Sequence, residues 1–151
     1  MLVHDLERVL DAGVRVALTY GDADYICNWF GGEAVSLAMD WTYTKEFNAA
    51  GYVPFVVDGK EYGEVRQYGQ LSFLRMYEAG HEVPYYQPKA SLELFRRVLG
   101  NLVVADGSKA LTPGYETNGK AEATHTESFV PLPSSSSSAA ASASASSIPA
   151  Y

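Results

Sequence analysis

Apolar positions along this chain come in short blocks whose spacing switches between that of a helix and that of a strand. "HDLERVLDAG" puts Leu6, Val9 and Leu10 on one helical face, with Gly13 placed to close the end. "VRVALTY" reads as a buried strand, short and rich in β-branched residues, broken by Gly21. The Gly31–Gly32 turn leads into a helix through "GGEAVSLAMDW", and "TKEFNAAG" predicts a second, shorter helix ending at Gly51. "YVPFVV", "KEYGEVRQYG" and "LSFLRMY" are three extended runs. Asp58-Gly59 joins the first pair and is a strong two-residue hairpin signal, while Gly80 closes the third run. "PKASLELFRRVLGNL" predicts a helix with Pro88 near its start. Its Leu94, Phe95, Val98, Leu99 and Leu102 form a stripe at helical spacing.

The pattern then fades. From Ala105 the chain turns polar, and from Ser134 it reads "SSSSSAAASASASS". Such a segment has almost nothing apolar to bury and does not offset its ordering entropy. The expected organisation is a folded part over residues 1–104 and a polar, Ser/Ala-rich disordered tail over 105–151. The order helix, strand, helix, hairpin, strand, helix suits an α/β fold, and within it the last part of a sheet with crossover helices. As a complete fold it is awkward, because so few strands leave long edges uncovered.

Composition narrows the function classes. The chain has 151 residues, 47% of them hydrophobic and 13% aromatic, which suits a packed core of modest size. A formal net charge of −7 and the lack of any basic run argue against nucleic acid as a partner. No stretch is long and apolar enough to span a bilayer. "MLVHDLERVL" is charged and amphipathic and does not read as a signal peptide. One Cys and three scattered His show no metal-ligand spacing, so neither cofactor nor metal is expected.

The residues that carry chemistry stand just after predicted strands. Asp22 and Asp24 follow one strand end, and His81 follows another in "YEAGHEVPYYQP". In parallel α/β sheets ligands gather at the carboxyl ends of strands. An acid followed later by a histidine is the back half of a hydrolase triad, where the carboxylate orients the imidazole and the imidazole takes a serine proton. From spacing alone two readings stay open. Gly-Asp can be turn chemistry, and a His near Pro can be structural.

The longer strings go further. "GDADYICNWFGGEA" and "YGQLSFLRMYEAGHEVPYYQPKASLELFRRVL" closely resemble the C-terminal part of serine carboxypeptidases, the carboxypeptidase Y-like group of α/β-hydrolases, over Asp5 to Leu102. That resemblance implies that Asp24 is the triad aspartate, His81 the triad histidine, and Asp22 a turn acid with a local structural role. It implies that Cys27 is a free thiol beside the substrate pocket. Asp24 is then expected within hydrogen-bond reach of the His81 ring, with Cys27 close by. Where the family usually has a methionine after the histidine, this chain has Glu82. A carboxylate there would disfavour acidic leaving residues, attract basic ones and raise the pKa of His81; the alternative is that it points into solvent. Trp29, Phe30 and Trp41 read as core or pocket wall, and Tyr85 and Tyr86 as packing residues able to line the site.

No Gly-x-Ser-x-Gly occurs in the 151 residues. The resemblance therefore implies a serine-type carboxypeptidase acting on peptide or protein C-termini, in a vacuolar or secreted setting. This chain would supply the acid and base but not the nucleophile, which a missing N-terminal chain or segment would bear. Alone, the chain is expected to be inactive. A different class also fits the letters: a non-catalytic surface or binding protein whose Ser-rich tail is a glycosylated stalk.

Overall fold

A computed structural model of the chain describes residues 2–125. Helix α1 (Leu2–Asp11) leads into strand β1 (Val16–Gly21), and helices α2 (Trp29–Ala38) and α3 (Thr44–Ala49) follow. Strands β2 (Val53–Val57), β3 (Lys60–Tyr68) and β4 (Leu71–Met76) then precede a short helix α4 (Val83–Tyr86) and the longer α5 (Pro88–Leu99). The four strands form one sheet in the order β1-β4-β3-β2. β1 runs parallel to β4, and the other neighbours are antiparallel.

The sheet has two covered faces, as an α/β fold requires. Phe73 and Leu74, adjacent on β4, point to opposite sides. Phe73 joins Leu10, Val16, Met39, Phe47 and Leu71 beneath α1, α2 and α3. Leu74 joins Phe55, Val65, Met76, Val83 and Ala90 beneath α4 and α5. β4 is one of the two inner strands, and every residue of it is buried. The Asp58-Gly59 hairpin forms as expected: both residues have positive φ, 49° and 77°, as the tight turn between β2 and β3 demands.

The structure departs from the sequence reading in four places. α2 starts at Trp29, ahead of the Gly-Gly pair, because the Asn28 side chain caps it by accepting from the Gly31 amide. α4 is an extra turn of helix that no apolar period announced. The stripe on α5 is divided: Leu94 and Val98 pack on the core, but Phe95 and Leu99 are 61% and 70% exposed. Lastly, the chain beyond Val104, expected to be a disordered tail, lies on the sheet as far as His125. Backbone pairing holds it where apolar burial would not. Tyr52 exchanges both main-chain hydrogen bonds with Lys120, and Thr117 does the equivalent with Gln67 through its amide and hydroxyl. The buried Arg97 guanidinium fastens the start of this segment, donating to the carbonyls of Val104, Ala105 and Val56. The Ser/Ala-rich tract from Ser134 onward lies outside the described residues.

Candidate active site

The site is built where β1 and β4 end side by side. Past the strands, the Asp22 amide donates to the Met76 carbonyl and the Ala23 amide to the Ala79 carbonyl, so the two following loops stay zipped together. Gly21 permits this approach. A Cβ there would lie 2.2 Å from the Ala79 carbonyl oxygen and 2.5 Å from that of Gly80. Asp22 reinforces the junction, accepting from the Ala79 amide and facing Arg75. These contacts tie Asp22 to the chain around it and not to His81.

Asp24 and His81 meet above this junction. The Asp24 carboxylate accepts through Oδ1 from the amides of Ile26 and Cys27, both at 3.0 Å. Its Oδ2 lies 2.8 Å from His81 Nδ1. A carboxylate in this state only accepts, so Nδ1 carries the proton and donates it, leaving Nε2 as the free acceptor of the neutral ring. The aspartate side chain is only 7% exposed, whereas the imidazole is 62% exposed.

The electrostatics follow from these contacts. Burial works to raise the Asp24 pKa, but the hydrogen bonds from His81 and the two amides outweigh it and hold the carboxyl below its usual range. The His81 pKa is raised, first by the hydrogen bond to Asp24, then by the aspartate's charge, with a smaller push from Glu82.

Cys27 is exposed, and its thiol, an Asp24 oxygen and a His81 nitrogen all lie within 4.8 Å of one another. Sequence spacing gave no hint of this mixed donor set, because it exists only once β1 and β4 are paired. Glu82 is exposed at the N-cap of α4. Tyr85 and Tyr86 are exposed beside it, edge to face, and the Tyr86 ring packs over Gly80. Trp29 and Trp41 are buried in the core, Trp29 beneath the Arg75 guanidinium, while Phe30 is exposed. Tyr25 and Ile26, which the sequence reading passed over, are almost fully exposed next to the aspartate. Their apolar character in a Gly-Asp turn was the signal available.

The family model for serine carboxypeptidase, Peptidase_S10, matches residues 1–101. The chain belongs to the serine carboxypeptidase family. Carboxypeptidase S1 homolog A of Arthroderma otae is 51% identical over 131 residues, covering 85% of this chain and 20% of the relative. A carboxypeptidase Y homolog of Arthroderma benhamiae is 44% identical over 135 residues, covering 86% and 21%. The crystal structure of Kex1(delta)p, a prohormone-processing carboxypeptidase from Saccharomyces cerevisiae, superposes with a TM-score of 0.59 at 26% identity. That match covers 67% of this chain and 23% of the yeast one. The chain thus spans about a fifth of the length of the curated serine carboxypeptidases it matches.

Proposed function

We propose that this chain carries the acid–base half of a serine-type carboxypeptidase that releases C-terminal residues from peptides. Asp24 holds the His81 tautomer and stabilises the imidazolium. Nε2 takes the proton from a serine hydroxyl during attack and returns it to the leaving amine. The observation that carries this reading is the 2.8 Å contact between Nδ1 and a carboxylate itself fixed by two backbone amides.

The serine belongs to a segment outside these 151 residues, since they contain no Gly-x-Ser-x-Gly. Three features fit a covering partner segment. Among the described residues β1 is paired on one side only; Tyr25, Ile26 and Phe30 are exposed beside the dyad, and Phe95 and Leu99 on α5. By itself the chain has no acyl-enzyme to form and is inactive. A vacuolar or secreted setting goes with this assignment. No helix among the described residues is long and apolar enough to cross a membrane.

The test is a chimera in which this chain replaces the matching portion of Carboxypeptidase S1 homolog A, assayed on N-blocked dipeptides beside the free chain. The chimera should cleave, His81→Ala in it should not, and the free chain should be silent. A His81→Ala chimera as active as its parent would remove the assignment.

Two further results are expected in the chimera. A mercurial should label Cys27 and block cleavage, because the thiol lies against the dyad; a fully labelled, fully active enzyme would place it outside the pocket. Glu82→Met should weaken the preference for C-terminal Lys or Arg over Leu by roughly fivefold, the scale of one exposed ion pair of about 1 kcal/mol. An unchanged ratio of kcat/KM values would mean Glu82 faces only solvent.

A further inference from the structure

A second concave site lies at the opposite end of the strands. It has a volume of about 440 Å³ and sits where β3 passes into β4 and where the chain enters β1. β1 and β4 are six residues long, so the cavity stands about 20 Å from Asp24 and His81. Its size is in the ordinary range for small-molecule sites.

Its wall has a particular chemistry. Trp41, Tyr43 and Tyr68 line it as one continuous aromatic surface. Trp41 and Tyr43 meet edge to face at 5.4 Å, and Tyr43 and Tyr68 are tilted at 5.6 Å. Among the described residues Asp11 is the one lining residue with a formal charge, and no described Lys, Arg or His lines the cavity. The Asp11 carboxylate is held by the Thr42 amide at 2.9 Å and the Thr42 hydroxyl at 2.8 Å. These bonds keep it ionised, with a pKa below the usual carboxylate range. Glu46 and Glu116 add negative charge close enough to be felt at the Tyr68 hydroxyl. Trp41 is 7% exposed, and its indole N–H is buried without a hydrogen-bond partner among the described residues.

Aromatic faces present negative charge density to a cation, and a fixed carboxylate adds to the attraction. An anion would meet no cationic side chain among the described lining residues. We propose that this cavity is a binding site for an organic ammonium ion, the cation resting on the faces of the aromatic wall and paired with Asp11. The site goes beyond the carboxypeptidase reading and stands independently of it, because every lining residue belongs to this chain and none belongs to the dyad.

The probe is benzyltrimethylammonium, with benzyl alcohol as the neutral and benzenesulfonate as the anionic comparison. Binding is followed by the Trp41 indole N–H resonance in the 151-residue chain and by calorimetry in the chimera, so that poor folding of the short form is not read as loss of a site. The cation should bind saturably and at least tenfold tighter than either comparison. Asp11→Asn, which keeps an acceptor for Thr42, should weaken it about fivefold. Thr112→Lys, at an exposed lining position, should abolish binding without altering dipeptide cleavage. Equal response to all three probes, saturable binding of glucose in place of the cation, or undiminished binding to the Thr112→Lys protein would each overturn the proposal.

Discussion

Replacing Asp24 by Asn is expected to cut kcat of the chimera by about 10⁴, with little loss of fold. Asn retains a side-chain oxygen for the amides of Ile26 and Cys27, so the turn after β1 survives. What changes is the partner of His81. An amide nitrogen facing Nδ1 is itself a donor, so the neutral ring turns its proton to Nε2. The base is then protonated where it must accept. The imidazolium formed during attack also loses its counter-charge.

The pH profile gives a reading that simple unfolding would not produce. A general base must be neutral, so activity rises with pH as His81 loses its proton. Asp24 raises that pKa, and the acid limb should therefore lie above the ordinary histidine value of about 6.5. In Asp24→Asn the residual activity should show the limb moved down. Stability follows the same contacts. The raised His81 pKa stabilises the fold fully below about pH 6.5 and loses its effect as pH climbs through the folded-state value. The lowered Asp24 pKa stabilises above about pH 4 and loses its effect as pH falls through the depressed value. The pair therefore supports the fold most between those limits. A limb that stays in place in the variant would show that Asp24 does not govern the histidine.

Gly21→Ala is expected to destabilise the fold strongly and to disperse the site with it. The added carbon would sit 2.2 Å from the Ala79 carbonyl oxygen, a main-chain atom that no rotamer change can move aside. Core overpacking costs about 1–3 kcal/mol, and rigid backbone on the receiving side puts this position at or above the upper end. The strain can be relieved only by parting β1 from the loop after β4. That breaks the hydrogen bonds that the Asp22 and Ala23 amides donate to the Met76 and Ala79 carbonyls, and with them the approach of Asp24 to His81. Urea unfolding of the chain should show a midpoint lowered by an amount equivalent to about 3 kcal/mol. The His81 titration, followed by NMR, should fall back toward the ordinary value. Gly59→Ala is the comparison: its Cβ meets nothing within 4 Å, so its cost is confined to a positive φ. Wild-type stability in Gly21→Ala would mean the two strand ends are not in contact.

Much of this molecule is legible in its sequence. Local order depends on neighbours a few residues apart, and those are visible in a string. The Asp58-Gly59 turn, the apolar strands around it and the helix after Pro88 each declared themselves through spacing and backbone preference. The Asp24 and His81 candidates were legible as residue types after strand ends, and the longer strings marked the family. Periodicity alone kept the turn and structural readings of those two residues alive.

Topology decided the rest. Asp24, Cys27 and His81 converge because β1 pairs in parallel with β4, a contact between distant parts of the chain that no short window contains. The need for glycine at position 21 lies in a carbonyl on another strand's loop. The order of residues 105–125 rests on hydrogen bonds to Tyr52, Gln67 and the guanidinium groups of Arg66, Arg75 and Arg97, which side-chain hydropathy does not register. Whether Phe95 and Leu99 are core or surface depends on what stands opposite them, and α5 turns only part of its stripe inward. The sequence by itself determined which segments become helix or strand and which side chains are chemically able to act. Tertiary structure alone decided which of them meet, because pairing distant strands is a property of the whole chain's packing and not of any local pattern.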